Sequence, residues 1–278
     1  MILVSRSRDK LEDLRSEIKS AGGRAEVFPC DLAKMEAIDA MAAAVLKKHG
    51  RVDILVNNAG RSIRRSVHES LDRFHDFQRT MQLNYFGAVR LLLLVLPGMK
   101  ERQHGHVINI SSIGVQAYPP RFGAYVASKS ALAALSRCLG PEVADDGIAV
   151  TNIHMPVVRT PMIAPTGIYK SFPTISPEEA AEMVLSAVLT RNPEVSTRLG
   201  KLGETVDVVA PTPPRDDGGL PRLPGLPGWR GEEGEGEAGP GGDLAGGGGD
   251  GLLNEGDSLL RVGDLRAWPD PGSRGRRR

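Results

Sequence analysis

A serine, a tyrosine and a lysine stand at positions 112, 125 and 129, within the segment SSIGVQAYPPRFGAYVASK at 111–129. Tyr125 and Lys129 are four residues apart in a stretch that reads as helix, so the phenol and the ammonium share one face. An ammonium beside a phenol favours the phenolate and lowers its pKa from an ordinary value of about 10. A general acid or base works best when its pKa lies near the working pH. Ser112 directly follows the apolar run HVINIS at 106–111, which reads as a buried strand. A hydroxyl at the C-terminal end of such a strand faces the crevice where open α/β sheets bind ligands. The arrangement Ser-x12-Tyr-x3-Lys therefore predicts a proton-transfer site: the serine orients a carbonyl or hydroxyl, the tyrosine moves the proton and the lysine tunes the tyrosine. Tyr-x3-Lys alone occurs by chance in many helices, so the rest of the chain must support the reading.

The elements that would position these groups alternate. Strands are expected at 1–5, 24–30, 53–56, 106–111 and 148–154, and helices at 7–21, 34–49, 71–102, 123–144 and 177–189. The 71–102 helix carries a possible break at Pro97-Gly98. Leu11, Leu14 and Ile18, and then Met35, Ile38, Met41 and Val45, fall at helical spacing. Ser176 and Pro177 open the last helix as cap and first residue. The proline-rich segment 155–176 reads as loop. Several strands are apolar without alternation, the mark of a parallel sheet covered on both faces.

Composition bounds the rest. A net charge of +1 on 278 residues argues against nucleic acid or an anionic membrane as partner. Cys30 and Cys138 lie far apart in apolar segments without metal-ligand spacing, and both read as core thiols of a reducing compartment. The longest uninterrupted apolar run, at 40–46, is far below the roughly 20 residues of a spanning helix, and no signal peptide precedes the first strand, so a cytoplasmic location is expected. Residues 201–278 hold 20 of the 33 glycines, and from 202 onward there is no Lys, Ile, Phe, Tyr, Met, Cys, His or Gln. Such a segment buries too little apolar area to offset the entropy of ordering, so disorder is expected from about Pro211. The expected division is a domain at 1–200 and a Gly/Pro-rich tail at 201–278.

Four motifs in order, NNAG at 57–60, LNYFG at 83–87, NISS at 109–112 and YVASK at 125–129, resemble those of the short-chain dehydrogenase/reductases over about residues 1–200. The resemblance implies a Rossmann-like doubly wound parallel sheet, a nicotinamide cofactor and a catalytic tetrad of Asn84, Ser112, Tyr125 and Lys129. It implies that Tyr125 protonates the carbonyl oxygen during reduction. Lys129 would also hold the nicotinamide ribose, and Asn84 a water that relays protons to Lys129. The remaining cofactor contacts it implies are Asp31 and Leu32, Asn57, Ala59 and Gly60, and Thr160. Plainer roles exist: an amide at a local helix distortion for Asn84, an Asx-Gly turn for NNAG and an N-cap for Asp31.

Ser5-Arg6 ends the first strand without an acid to grip ribose hydroxyls, and Arg6 could pair with a 2′-phosphate, so NADP(H) is expected over NAD(H). GRSIRRSV at 60–67, RTMQLNYFGAVRL at 79–91 and HMPVVRTPMIAPT at 154–166 are similar to the bacterial fatty acyl-CoA reductase branch, implying a long-chain acyl-CoA or fatty aldehyde. Arg61, Arg64 and Arg65 would then rim a CoA phosphate site, and Met155, Met162 and Ile163 would wall an acyl chain. An unrelated ketone or alcohol stands at even odds. If such an enzyme assembles, a homo-oligomer through the helices bearing Asn84 and Tyr125 is implied.

Two departures from the family stand out. Its opening strand and Gly-rich phosphate-binding turn have no counterpart before Met1, so the sheet is expected to lack its first strand and helix, in two halves with exposed edges. Weak cofactor binding follows, and with it an alternative function: a catalytically impaired remnant from a truncated or frameshifted gene. The abrupt change near Pro211 reads either as a genuine disordered extension or as out-of-frame translation, and its abruptness favours the latter. The basic terminus Arg276-Arg277-Arg278 reads as solvated charge.

Overall fold

The structure is a computed structural model of the chain and describes residues 1–160, 163 and 173–197. Met162 and the 201–278 segment, on which sequence expectations fall, lie outside the described residues. The element order is β1 (Ile2–Ser5), α1 (Arg8–Ser20), β2 (Glu26–Pro29), α2 (Met35–His49) and β3 (Ile54–Asn57). One continuous helix, Phe74–Glu101, follows. It consists of α3 (Phe74–Met81), a π-helical segment (Gln82–Gly87) and α4 (Ala88–Glu101). Then come β4 (Gly105–Ile110), the single turn α5 (Gly114–Ala117), α6 (Gly123–Val143), β5 (Ile148–His154), the short β6 (Val157–Val158) and β7 (Thr174–Ile175), α7 (Pro177–Thr190) and β8 (Glu194–Ser196).

Every strand pair is parallel. The order β3-β4-β5-β8 makes one sheet and β1-β2 a second, and no backbone ladder joins them among the described residues. The two halves expected from the sequence are therefore present. All six residues of β4 are buried, because helices cover both of its faces. Val107 packs with Leu92, Val95, Met99, Leu139 and Val143 on one side. Its neighbour Ile108 packs with Ile153, Ala180, Val184 and Ala187 on the other. A third cluster, built on Ile38, Met41 and Val45, gathers Ile2, Val4, Val52, Leu91 and Leu94. It joins the β1-β2 pair to the larger sheet through side chains.

Three expectations are corrected. Pro97 does not break the long helix, since Leu92, Val95 and Met99 on either side of it stay in one core cluster. Its missing N–H costs one helical bond, and the packing offsets that loss. Cys138 is exposed while Cys30 is buried, because 138 falls on the outer face of α6. The 155–176 segment, read as loop, contributes the paired strands β6 and β7, and β8 follows α7 where no strand was expected. The helix Phe74–Glu101 is also long and apolar enough, by length and composition, to cross a membrane; in this fold it packs against α2, α6 and β4.

Two glycines fix the geometry around Asn84 and Lys129. A Cβ at Gly87 would collide with the carbonyl oxygen of Leu32, so only glycine lets the π segment meet the chain after β2. The Gln82 amide adds a hydrogen bond to the carbonyl of Ala33 at 3.0 Å. Gly60 brings the backbone against Lys129, whose Nζ would lie 3.3 Å from an added Cβ, and Asn84, whose Oδ1 would lie 3.4 Å from it.

Candidate active site

The four residues of the expected tetrad come from two elements, the π-helical segment and α6, and from the loop after β4, which meet at the C-terminal ends of the strands. Ser112 follows β4, where the ladder to β5 ends; the Ser111 and Ile113 amides still donate to Ile153 and Met155 at 2.8 and 2.9 Å. Its Oγ accepts from the Gly114 amide at 3.0 Å and is hydrogen-bonded to the Tyr125 side chain. Tyr125 stands in the first turn of α6, and Lys129 lies one turn on.

Lys129 is 4% exposed, and its Nζ donates to the carbonyl of Ile110 at 2.7 Å. Burial brings its pKa down to about 8. Burial likewise raises the Tyr125 pKa, and the Ser112 hydroxyl opposes that rise without reversing it. Helical spacing led us to expect a phenol acidified by Lys129. Instead the ammonium is aimed at the strand end, and Tyr125 stays a protonated phenol at neutral pH.

Asn84 is 1% exposed, inside the π-helical segment. Its Oδ1 accepts from the Arg61 amide at 2.8 Å, and its Nδ2 donates to the Arg61 carbonyl at 2.9 Å and to Ser128 Oγ at 2.9 Å. The extra residue of a π turn swings this side chain out of the helical register, a common device at functional sites. Asn84 thus clasps the chain that runs on from NNAG and ties it to α6, beside Lys129.

The expected cofactor residues divide into two groups. Gly60, Tyr125 and Lys129 sit together, with Ala59 packed into the adjoining cluster. Asn57 is buried and spends its Nδ2 on Asn109 Oδ1 at 2.8 Å, so it holds β3 to β4. Asp31 Oδ1 accepts from the Ala33 amide at 3.0 Å in a local turn; it is not the N-cap weighed above, since Lys34 stands at that position of α2. Leu32 is buried against Gly87. Thr160 is half-buried beyond β6. At the end of β1, Ser5 Oγ is buried without a hydrogen-bond partner beside the exposed Arg6. An orphaned hydroxyl next to a guanidinium at a strand end fits a phosphate-bearing nucleotide.

Sequence reasoning missed the groups behind Ser112. His154, 1% exposed, sets Nδ1 3.4 Å from the Ser112 carbonyl and Nε2 2.6 Å from Glu194 Oε1. Asn152 Nδ2 lies 3.1 Å from the same Nε2, and Arg137 donates to Glu194 Oε1 at 3.0 Å. This chain runs from the surface of α6 to the main chain of Ser112. Glu194 comes from a three-residue strand 40 positions after His154, and no local spacing signals such a pairing.

The family profile described as short chain dehydrogenase matches residues 1–168. The chain belongs to the short-chain dehydrogenase family. It is 56% identical over 211 residues to a fatty acyl-CoA reductase of Acinetobacter baylyi, a match covering 76% of this chain and 72% of the relative. An uncharacterized oxidoreductase of Mycobacterium bovis is 50% identical over 214 residues; the match covers 76% of this chain but 63% of that protein's length. Among solved structures, a metagenomic short-chain oxidoreductase in complex with NADP superposes with a TM-score of 0.60 at 30% identity, covering 70% of this chain and 84% of that one.

Proposed function

We propose that this short-chain dehydrogenase reduces a carbonyl with NADPH, on a long-chain acyl-CoA or fatty aldehyde, with Tyr125 as proton donor. The observation that carries the reading is the junction of Ser112, Tyr125, Lys129 and Asn84 at one strand end. The Ser112 hydroxyl, fixed by the Gly114 amide, orients the carbonyl oxygen. Tyr125 is held protonated by burial, which suits an acid that donates to the oxygen as it gains charge. Lys129 and Asn84 keep that pocket polar and in register with the 57–60 turn. NADPH bound there supplies the hydride. Arg6 and the unpartnered Ser5 hydroxyl would hold its 2′-phosphate, Asp31 and Leu32 would flank the adenine, Asn57, Ala59 and Gly60 would line the adenosine side, and Thr160 would add a further contact. The identity to a fatty acyl-CoA reductase supports the substrate class, with Met155 and Ile163 toward the acyl chain.

The divided sheet favours a second reading, a chain with the proposed catalytic groups but weak hold on its cofactor, because among the described residues no backbone ladder joins β1-β2 to the larger sheet. Purified protein with NADPH or NADH and a long-chain aldehyde separates the two. Consumption of NADPH at least tenfold faster than NADH supports the first reading; catalytic groups without measurable NADPH affinity support the second. Faster turnover with NADH overturns the cofactor assignment. We further place the chain in the cytoplasm, where the Cys30 thiol stays reduced. We also propose assembly as a homo-oligomer through the apolar residues Phe74, Phe86 and Leu93, which the long helix leaves exposed.

A further inference from the structure

Ser112 lies just past the last rungs of the β4–β5 ladder, which end at Ile110 and Ile153. The peptides around it are still held by β5: the Ser111 amide donates to the Ile153 carbonyl at 2.8 Å and the Ile113 amide to the Met155 carbonyl at 2.9 Å. The Ser112 carbonyl itself accepts from the Val115 amide of α5 at 3.0 Å and meets His154 Nδ1 at 3.4 Å. A side chain of β5 therefore reaches the one residue between those two backbone bonds. His154 is 1% exposed, and its Nε2 lies 2.6 Å from Glu194 Oε1 in β8. Glu194 Oε1 also accepts from Arg137 of α6 at 3.0 Å. Each of the two ring contacts holds a proton between nitrogen and oxygen. An imidazole held at both nitrogens cannot turn, so the Glu194 contact sets the edge that the ring shows to Ser112.

Packing alone does not account for this cluster. Asn152, 2% exposed, sets its Nδ2 3.1 Å from His154 Nε2, while its Oδ1 stays buried without a hydrogen-bond partner. Apolar side chains of similar volume would fill the space without that cost. The Ser112 hydroxyl, for its part, has little room. Its Oγ accepts from the Gly114 amide at 3.0 Å, and a Cβ added at Gly114 would stand 3.3 Å from it. The direction of the hydroxyl therefore follows the direction of its own main chain. We propose that His154, steered by Glu194, is a positioning residue for the Ser112 hydroxyl. It acts through the Ser112 carbonyl and touches neither substrate nor cofactor. The inference rests on the reductase reading, in which that hydroxyl orients the reacting oxygen.

Two variants that each keep half of the imidazole separate this role from plain packing. The side-chain amide of His154→Asn stands where Nδ1 was and keeps a donor for the Ser112 carbonyl. That of His154→Gln reaches where Nε2 was and keeps the Glu194 contact instead. On the full chain, with NADPH and a long-chain aldehyde, His154→Gln should lower kcat roughly ten- to a hundredfold, as expected for a small misplacement of a reacting group. His154→Asn should retain most of kcat, and the KM for NADPH should not move in either. In a Ser112→Ala background His154→Gln should cost no further kcat, because the group it positions is gone. Unchanged kcat in His154→Gln, equal losses in the two variants, or losses that add to that of Ser112→Ala overturn the proposal. Amide hydrogen exchange supplies a readout without turnover. In His154→Gln the Gly114 and Val115 amides, which donate to Ser112, should exchange about tenfold faster, while those of Ser111 and Ile113 stay protected. Unchanged protection at Gly114 and Val115 overturns the proposal. Glu194→Ala, at an exposed side chain, releases the ring from its outer end and should give the same pattern at smaller size, which keeps the test decisive if the His154 variants fail to fold. A parent chain that oxidises no NADPH overturns the reductase reading, and the exchange comparison then still decides whether His154 holds Ser112.

Discussion

The two sheets of this molecule are built from the same parallel strand, and they differ in how completely they are enclosed. In β3-β4-β5-β8, the strand β4 is buried at every position, and separate core clusters lie on its two faces. In β1-β2 the burial is intermittent, and the cluster under α1 has three buried residues, Leu3, Leu11 and Ile18. Ser112, Tyr125 and Lys129 belong to the first region, while Arg6 and Asp31 belong to the second. The residues proposed for proton transfer thus stand on the more enclosed half, and part of the proposed nucleotide contacts on the less enclosed one. A two-stranded unit has little stability of its own, so β1-β2 relies on the Ile38–Met41–Val45 cluster to stay in place.

The largest effect should divide along that line. Tyr125→Phe removes the proposed proton donor and leaves the ring at the start of α6. Reductase kcat should fall by a factor of about 10² to 10⁴, with the melting temperature unchanged. Arg6→Ala should instead raise the KM for NADPH and spare kcat, since it removes ground-state binding only. Steady-state kinetics on both variants would break the comparison if Arg6→Ala lost kcat and kept its KM.

The next effect concerns stability in acid. His106, in β4, is 3% exposed, and its Nε2 pairs with Thr151 Oγ1 at 2.9 Å. Burial, with Arg191 nearby, brings its pKa down to about 4. The unfolded chain takes up this proton below about pH 6.5, and the native chain refuses it until about 4. The His106 contribution to stability should therefore be lost as pH drops through that window and change no further below it. At 1.36 kcal/mol per pH unit the loss is about 3 kcal/mol. Urea unfolding from pH 7 to 4 should show it, and His106→Asn should flatten the curve. An unchanged slope in that variant would show that carboxylates, and not the enclosed histidine, govern acid unfolding.

Much of this was legible in the sequence, and the parts that were not share a cause. The apolar run at 106–110, the spacing of Leu11 and Ile18 and the Ser176-Pro177 cap are local signals, and the elements formed where they stood. That Ser112, Tyr125 and Lys129 lie near one another could be read because they follow a strand end and stand one helix turn apart. A helix distortion at Asn84 was one reading, but its π-helical form was not legible: QLNYFG has no local mark of an extra residue, and Gly87 passes Leu32 while Asn84 reaches Arg61. Lys129 was misjudged for the same reason. Helical spacing shows its neighbour on α6 but not the Ile110 carbonyl across the sheet, which it takes instead. The His154–Glu194 contact is likewise a tertiary fact about residues that look like ordinary surface charge in one dimension.

The smallest expected difference returns to the two halves through their helix starts. Ser176 begins α7 with a complete capping box: its Oγ accepts from the Glu179 amide at 3.1 Å, and Glu179 Oε2 accepts from the Ser176 amide at 2.7 Å. Ser7 begins α1, and its side chain makes no cap hydrogen bond. The same residue type therefore stands at the same position of two helices with different work. Ser176→Ala removes the hydroxyl's share of the reciprocal pair and should cost about 1 kcal/mol of unfolding free energy. Ser7→Ala removes no cap bond and should cost a few tenths at most. Denaturant titrations of the two variants give the comparison directly. If Ser7→Ala proved as costly as Ser176→Ala, the β1-α1-β2 half would be held by its helix start as firmly as the catalytic half, and the contrast in enclosure would not extend to the helix ends.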